Sequence, residues 1–111
     1  GEWAFVNQKN SVCIYLDAIG EPLEEPADFV LSFEYFDTGT SDITLQYDSE
    51  FETDKQYHPG GIVPRTDTGT WKTAVLELRN TRLSGGQNML ADMRLLGGYP
   101  LMLRNMSLSR K

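Results

Sequence analysis

The residues 29–36, FVLSFEYF, place Phe29, Leu31, Phe33 and Tyr35 on one side of an extended chain and Val30, Ser32, Glu34 and Phe36 on the other. That period of two is the geometry of a strand with one buried face, because successive side chains point to opposite sides of the pleat. It recurs along the chain: Ile43, Leu45 and Tyr47 alternate with Thr44, Gln46 and Asp48, and Ala74, Leu76 and Leu78 with Thr73, Val75 and Glu77. Ala91, Met93 and Leu95 share one parity, which sets Asp92 and Arg94 together on the other. No helical period lasts beyond a turn or two. The alternation therefore predicts an all-β protein, an antiparallel β-sandwich or jelly roll of about eight short strands with Gly and Pro punctuation.

The remaining strands come from 2–6, 11–17, 62–65 (IVPR) and 100–110. In the last of these, Leu101 and Leu103 have one parity and Met106 and Leu108 the other. A β-bulge near Arg104-Asn105 would restore the phase by adding one residue. The turn-rich DTGTS between 29–36 and 42–49 reads as the tip of an antiparallel hairpin. Residues 19–27, IGEPLEEPA, read as a loop with room for a single turn of helix.

A chain of 111 residues suits one domain spanning 1–111, with no repeat or interdomain linker. Its net charge of −6, with the ten basic residues scattered, argues against a nucleic-acid partner. No run approaches the roughly 18 apolar residues of a membrane span. The start, Gly1-Glu2-Trp3, shows no basic and apolar leader, so an export signal is expected outside these residues. The lone Cys13 excludes an internal disulfide and reads as a small buried hydrophobe.

In an antiparallel sandwich, successive connections alternate between the two ends. The connections 17–27, 50–61 and 79–89 then meet at one end, while the short turns 7–10, 37–41, 66–69 and 96–98 meet at the other. Function concentrates on long loops carried by a rigid scaffold. The long-loop end collects Asp17, Glu24, Glu25, Glu50, Tyr57, His58, Arg82, Gln87 and Asn88. Of these, Tyr57, His58, Arg82, Gln87, Asn88 and Asp17 form the candidate ligand site. An aromatic face covers the C–H patch of a sugar, and Asn, Gln, His and Arg bond its hydroxyls. A tyrosine at that place equally serves to pack a loop on the sandwich edge.

Other chemistries are less well marked. Sixteen acidic residues make a glycosidase-like pair inevitable by chance. Asp17 with Glu24 and Glu25 has no EF-hand spacing and reads as a solvated acidic loop, which leaves a structural calcium open. The Gly-Gly pairs at 60–61, 85–86 and 97–98 are turn devices, since none precedes Lys-Ser/Thr or opens a helix. Asn105-Met106-Ser107 fits a glycosylation sequon within a strand. Trp3 and Trp71 could be sugar platforms, but packing is the expectation for both.

The segments FVLSFEYFDTGTSDITLQYDS, TDTGTWKTAVLEL, NTRLSGGQNMLADMRL and PLMLRNMSLSR together resemble galactose-binding-like β-sandwich domains. These are carbohydrate-binding or accessory modules of secreted, mostly bacterial, polysaccharide-degrading enzymes. The likeness covers nearly the whole chain after residue 10, with Leu83 and Met93 where phenylalanine is usual and Asn80 where aspartate is usual. It implies an extracellular or cell-surface, non-catalytic module of a larger protein, with a glycan as ligand, a linked catalytic domain as partner and no cofactor. It also implies that Trp71 closes the core and that Asp92 and Arg94 brace the loop before them. A structural or interaction domain without sugar binding is the alternative, and a small hydrolase a distant third.

Overall fold

The computed structural model describes residues 4–9, 13–19, 23–53, 55–87, 91–98 and 100–111. Among them the strands are β1 (Ala4–Lys9), β2 (Cys13–Ile19), β3 (Ala27–Phe36), β4 (Ile43–Tyr47), β5 (His58–Val63), β6 (Trp71–Thr81), β7 (Met93–Leu96) and β8 (Leu103–Arg110), with no helix. They form two antiparallel sheets, one ordered β1-β2-β7-β4-β5 and the other β6-β3-β8. The sheets pack as a β-sandwich around a single core. Phe29, Leu31, Phe33, Tyr35, Ala74, Leu78 and Leu108 come from the three-stranded sheet and Ile14, Leu16, Ile43, Leu45, Tyr47, Val63, Met93 and Leu95 from the five-stranded one. The alternation in 29–36 and 43–47 is thus the inward face of each sheet. Leu76 is only partly buried against the same core.

The pairing departs from the sequence reading at one junction. β3 pairs with β6 and β8, while β4 pairs with β5 and β7, so 29–36 and 42–49 are not a hairpin. The chain crosses between sheets over 37–42. Each of these strands buries a complete face of large side chains, and facing one another across the core satisfies both.

Asp37, fully buried directly after β3, holds this crossing. Its backbone bonds Thr70 and Gly69, and its carboxylate accepts the Thr66 and Thr68 amides at 2.7 and 3.2 Å. The Thr66 and Thr68 hydroxyls donate to it at 2.8 and 2.6 Å, and Lys72 Nζ lies 3.0 Å away. Buried Arg65 clamps the same end, donating to the carbonyls of Ser41, Pro100 and Gly98 at 2.6, 2.7 and 2.6 Å.

Three irregularities tune the strands. In β8, Ser107 pairs with Ser32 but Arg104 with Glu34, a bulge at the expected place, with Asn105 at φ 52°. In β5, Gly61 pairs with Leu45 and Pro59 with Gln46, so Gly60 is the extra residue. A Cβ there would sit 2.7 Å from Leu45 Cδ2, which is why the strand carries glycine. This bulge lets β5 begin at His58 rather than at the expected Ile62, and leaves Arg65 beyond its end. The third lies between Ala27 and Phe29, where Asn80 takes φ 52° and its amide donates to Asp28 Oδ1 at 2.9 Å.

Trp71 does not close the core. It pairs with Phe36, whose parity is outward, so the indole lies on the outer face of the three-stranded sheet, 37% exposed. There Phe36 meets it edge-on at 5.5 Å and the Arg104 guanidinium lies 3.8 Å over its ring. Trp3 lies outside the described residues, as does the side chain of Cys13.

Two outcomes follow. Leu45→Ala should lower unfolding free energy by about 2–5 kcal/mol in a urea melt through lost burial and a cavity, against about 0.5 kcal/mol or less for outward Thr44→Ala. Hydrogen bonds to Asp37, led by the Thr68 hydroxyl, outweigh its burial and hold its carboxyl far below the usual carboxylate range. Its contribution is then complete above the unfolded-state value of about 3.9 and is lost as pH falls toward the folded value. Urea melts of wild type and Asp37→Asn should differ most near neutral pH and converge as pH drops below about 4.

Candidate functional site

The long-loop end is built where β4 and β6 finish side by side. Tyr47 spans the core from the five-stranded sheet: its hydroxyl donates to the Arg79 carbonyl at 2.8 Å and accepts the Arg79 amide at 3.0 Å. Burial pushes its phenol up, against the opposing effect of the Arg79 backbone. One step on, Ser49 bridges Thr81, and the Arg82 amide donates to the Asp48 carbonyl at 3.0 Å. The connections 48–57 and 82–92 therefore leave the sandwich together.

The loop after β6 is wrapped on two buried carboxylates. Asp48 Oδ2 accepts the Ser84 hydroxyl at 2.6 Å, the Ser84 amide at 3.1 Å and the Gly86 amide at 3.2 Å. Asp92 Oδ1 accepts the Gly85 amide at 2.7 Å. The Asp48 amide in turn donates to the Asp92 carbonyl at 2.8 Å, and the Asp92 amide to that of Leu16 at 2.9 Å. Leu83 at φ 53° and Gly85 at φ 70° supply the reversals. At Gly86, a Cβ would stand 2.8 Å from Asp48 Oδ1. The glycine pair at 85–86 lets the backbone reach the carboxylates directly.

Around this brace lies a cleft of about 180 Å³. Leu23 and Pro26 give it an apolar side; Glu24, Glu25, Glu50, Arg82 and Ser84 complete the lining. The three long connections do converge. Arg82 Nε pairs with Glu50 Oε1 at 2.6 Å, and Lys55 Nζ approaches Glu50 Oε2 at 3.4 Å.

The sequence-derived site residues divide among different places. Arg82 lines the cleft. Tyr57 stands apart from it, with the Arg94 guanidinium 4.1 Å over its ring and Arg94 Nε donating to Gln46 Oε1 at 2.6 Å. His58 is the first residue of β5 rather than a loop residue, stacked on Phe51 at 4.2 Å with Tyr47 edge-on at 5.5 Å. Gln87 is buried: Nε2 donates to the carbonyls of Gln46 and Gln56 at 3.1 and 2.8 Å, tying the 48–57 connection to β4. Its Oε1 is a buried acceptor with no hydrogen-bond partner among the described residues. Asn88 lies outside the described residues. Asp17 has its backbone in β2 opposite Val6, and its side chain lies outside them too.

Asp92 and Arg94 separate as well. β7 begins at Met93, so Asp92 turns inward and braces the loop, while only Arg94 lies on the outer face with Gln46 and Tyr57. Sequence reasoning passed over Ser84 and the role of Asp48. The available signal was a carboxylate directly after a buried-face strand, matched by a later Ser-Gly-Gly. Among the described residues, no three His, Cys, Asp or Glu side chains gather in a metal-holding group.

No protein-family model, curated protein or solved structure matches this chain.

Asp48→Ala should leave the Ser84 and Gly86 donors unpaired, at about 1–3 kcal/mol. Amide hydrogen exchange should speed up over 82–87 and 48–50 well before it changes in β3. Uniform exchange across the domain would contradict a local brace.

Proposed function

We propose that this domain is a non-catalytic carbohydrate-binding module of the galactose-binding-like jelly-roll kind, serving a secreted glycan-active protein. The observation that carries the reading is the long-loop end itself: three connections, one of them wrapped on buried carboxylates, enclosing a small cleft with hydroxyl, carboxylate and guanidinium groups beside an apolar side. Such a cleft offers donors and acceptors for sugar hydroxyls and an apolar surface for ring C–H groups. Its size, below the roughly 300–1,000 Å³ of drug-sized pockets, suits one sugar ring rather than a long chain. Tyr57, stiffened by Arg94, supplies a second contact on the adjoining sheet face. Preorganised groups lose little freedom on binding, which favours recognition of a weakly held ligand.

The buried carboxylates are spoken for by loop donors: Asp37 by Thr66 and Thr68, Asp48 by Ser84 and Gly86, Asp92 by Gly85. This supports a binding role over acid–base chemistry. Binding would hold a linked catalytic domain near its polysaccharide and raise the effective substrate concentration.

A second reading, an interaction domain that docks on a neighbour and binds no sugar, is favoured by Val75, 65% exposed on the same outer face as Trp71. A glycan array followed by calorimetry separates the two. The module should retain at least one glycan, and Tyr57→Ala should weaken that binding by about 1–3 kcal/mol with an unchanged melting temperature. No retention by any glycan, from protein with an intact melt, would leave the interaction domain.

A further inference from the structure

The cleft has a built-in charge arrangement. Arg82, its cation, points the Nε edge of its guanidinium at Glu50, 2.6 Å away, and Lys55 approaches the other oxygen of the same carboxylate at 3.4 Å. Glu50 thus stands between two cations from different connections, and its amide is fixed by the Asn80 carbonyl at 3.0 Å. Glu24 and Glu25 line the same cleft from the connection before β3. We propose that Glu50 is the residue that sets ligand charge here: by holding the Nε edge of Arg82 and adding its own negative charge, it makes the cleft select neutral sugars and reject uronates. This rests on the carbohydrate reading of the cleft and narrows it to neutral glycans.

The physical basis is competition for one guanidinium. A uronate carboxylate binds arginine best through two parallel N–H···O bonds. In the native cleft it would have to displace Glu50 to use the Nε edge of Arg82, and on any edge it would meet Glu50, Glu24 and Glu25 as like charges. A neutral hydroxyl needs neither step, because it bonds to a carboxylate or to an already paired guanidinium. The pair is partly exposed, at 32% and 37% for the two side chains, so it contributes little to stability. Its effect is on the field within the cleft, and this makes it separable from folding.

The test is titration calorimetry of wild type, Glu50→Gln and Glu50→Gln/Arg82→Gln with a galacturonic acid trimer and with the neutral galactose trimer, at low and high salt. Glu50→Gln should bind the uronate at least about tenfold more tightly than wild type, lose that gain in the double variant, and lose most of it in high salt, where exposed charges are screened. Uronate affinity within about twofold of wild type in Glu50→Gln overturns the proposal. So does uronate binding by wild type that matches the variant. If Glu50→Gln melts early, the wild-type Arg82 Nε–H resonance decides: it should stay in place on addition of the uronate trimer, and a shift at submillimolar uronate overturns the proposal. Uronate gain in Glu50→Gln, with a wild type that binds no glycan on the array, supports the role of Glu50 while refuting the native carbohydrate function. Neutral-sugar binding without the gain does the reverse.

Discussion

The fold depends on carboxylates buried just beyond the ends of its inner strands. Asp37 follows β3 and Asp48 follows β4, both essentially without exposure. A buried carboxylate is costly unless its lone pairs are filled by donors. Each of these is filled by amides and hydroxyls of a loop far away in sequence, Thr66 and Thr68 for Asp37, Ser84 and Gly86 for Asp48. Each therefore defines the path of a loop that has no regular structure of its own. Asp37 organises the short-loop end, where the chain changes sheets, and Asp48 the end that carries the cleft.

This division of labour explains why polar residues near the cleft are of two kinds. Gln87, Asp48 and Asp92 are consumed in holding the connections in place. Glu50, Arg82, Glu24 and Glu25 remain at the cleft's surface, in reach of a ligand. A rigid inner layer under a polar outer layer lets loop residues vary while their backbone stays put. The bulge at Gly60 serves the same end from the sheet side, bringing His58 into β5 and leaving Tyr57 at the strand's mouth beside Arg94.

The period of two made the inward faces of β3, β4 and β7 readable, because burial on one side leaves a direct trace in sequence. The parity break between Leu103 and Met106 likewise foretold the bulge in β8. Pairing partners left a weaker trace. DTGTS has the composition of a hairpin tip, yet the choice between pairing in one sheet and facing across two depends on contacts that Asp37 makes with residues about thirty positions later. The outward position of Trp71, by contrast, was legible, since it shares the parity of Thr73, Val75 and Glu77; it is the resemblance, not the alternation, that places it in the core. At the site, the convergence of long connections could be counted from strand order. Which polar side chains line the cleft and which face inward could not: Gln87 and Arg82 look alike as loop residues, but the carbonyls of Gln46 and Gln56 claim Gln87.

The bulge in β8 has a consequence for how such domains coexist with one another. β8 borders its sheet, and a regular border strand offers unpaired amides and carbonyls as a template for another chain. Here Asn105 adopts a left-handed backbone in mid-strand and its side chain is held down on Glu34, which also pairs with Arg104 at 3.2 Å. The ladder is interrupted, and an incoming strand finds no continuous register. Copies of this domain, crowded along a surface or strung in one polypeptide, would therefore not join through β8 into a shared sheet.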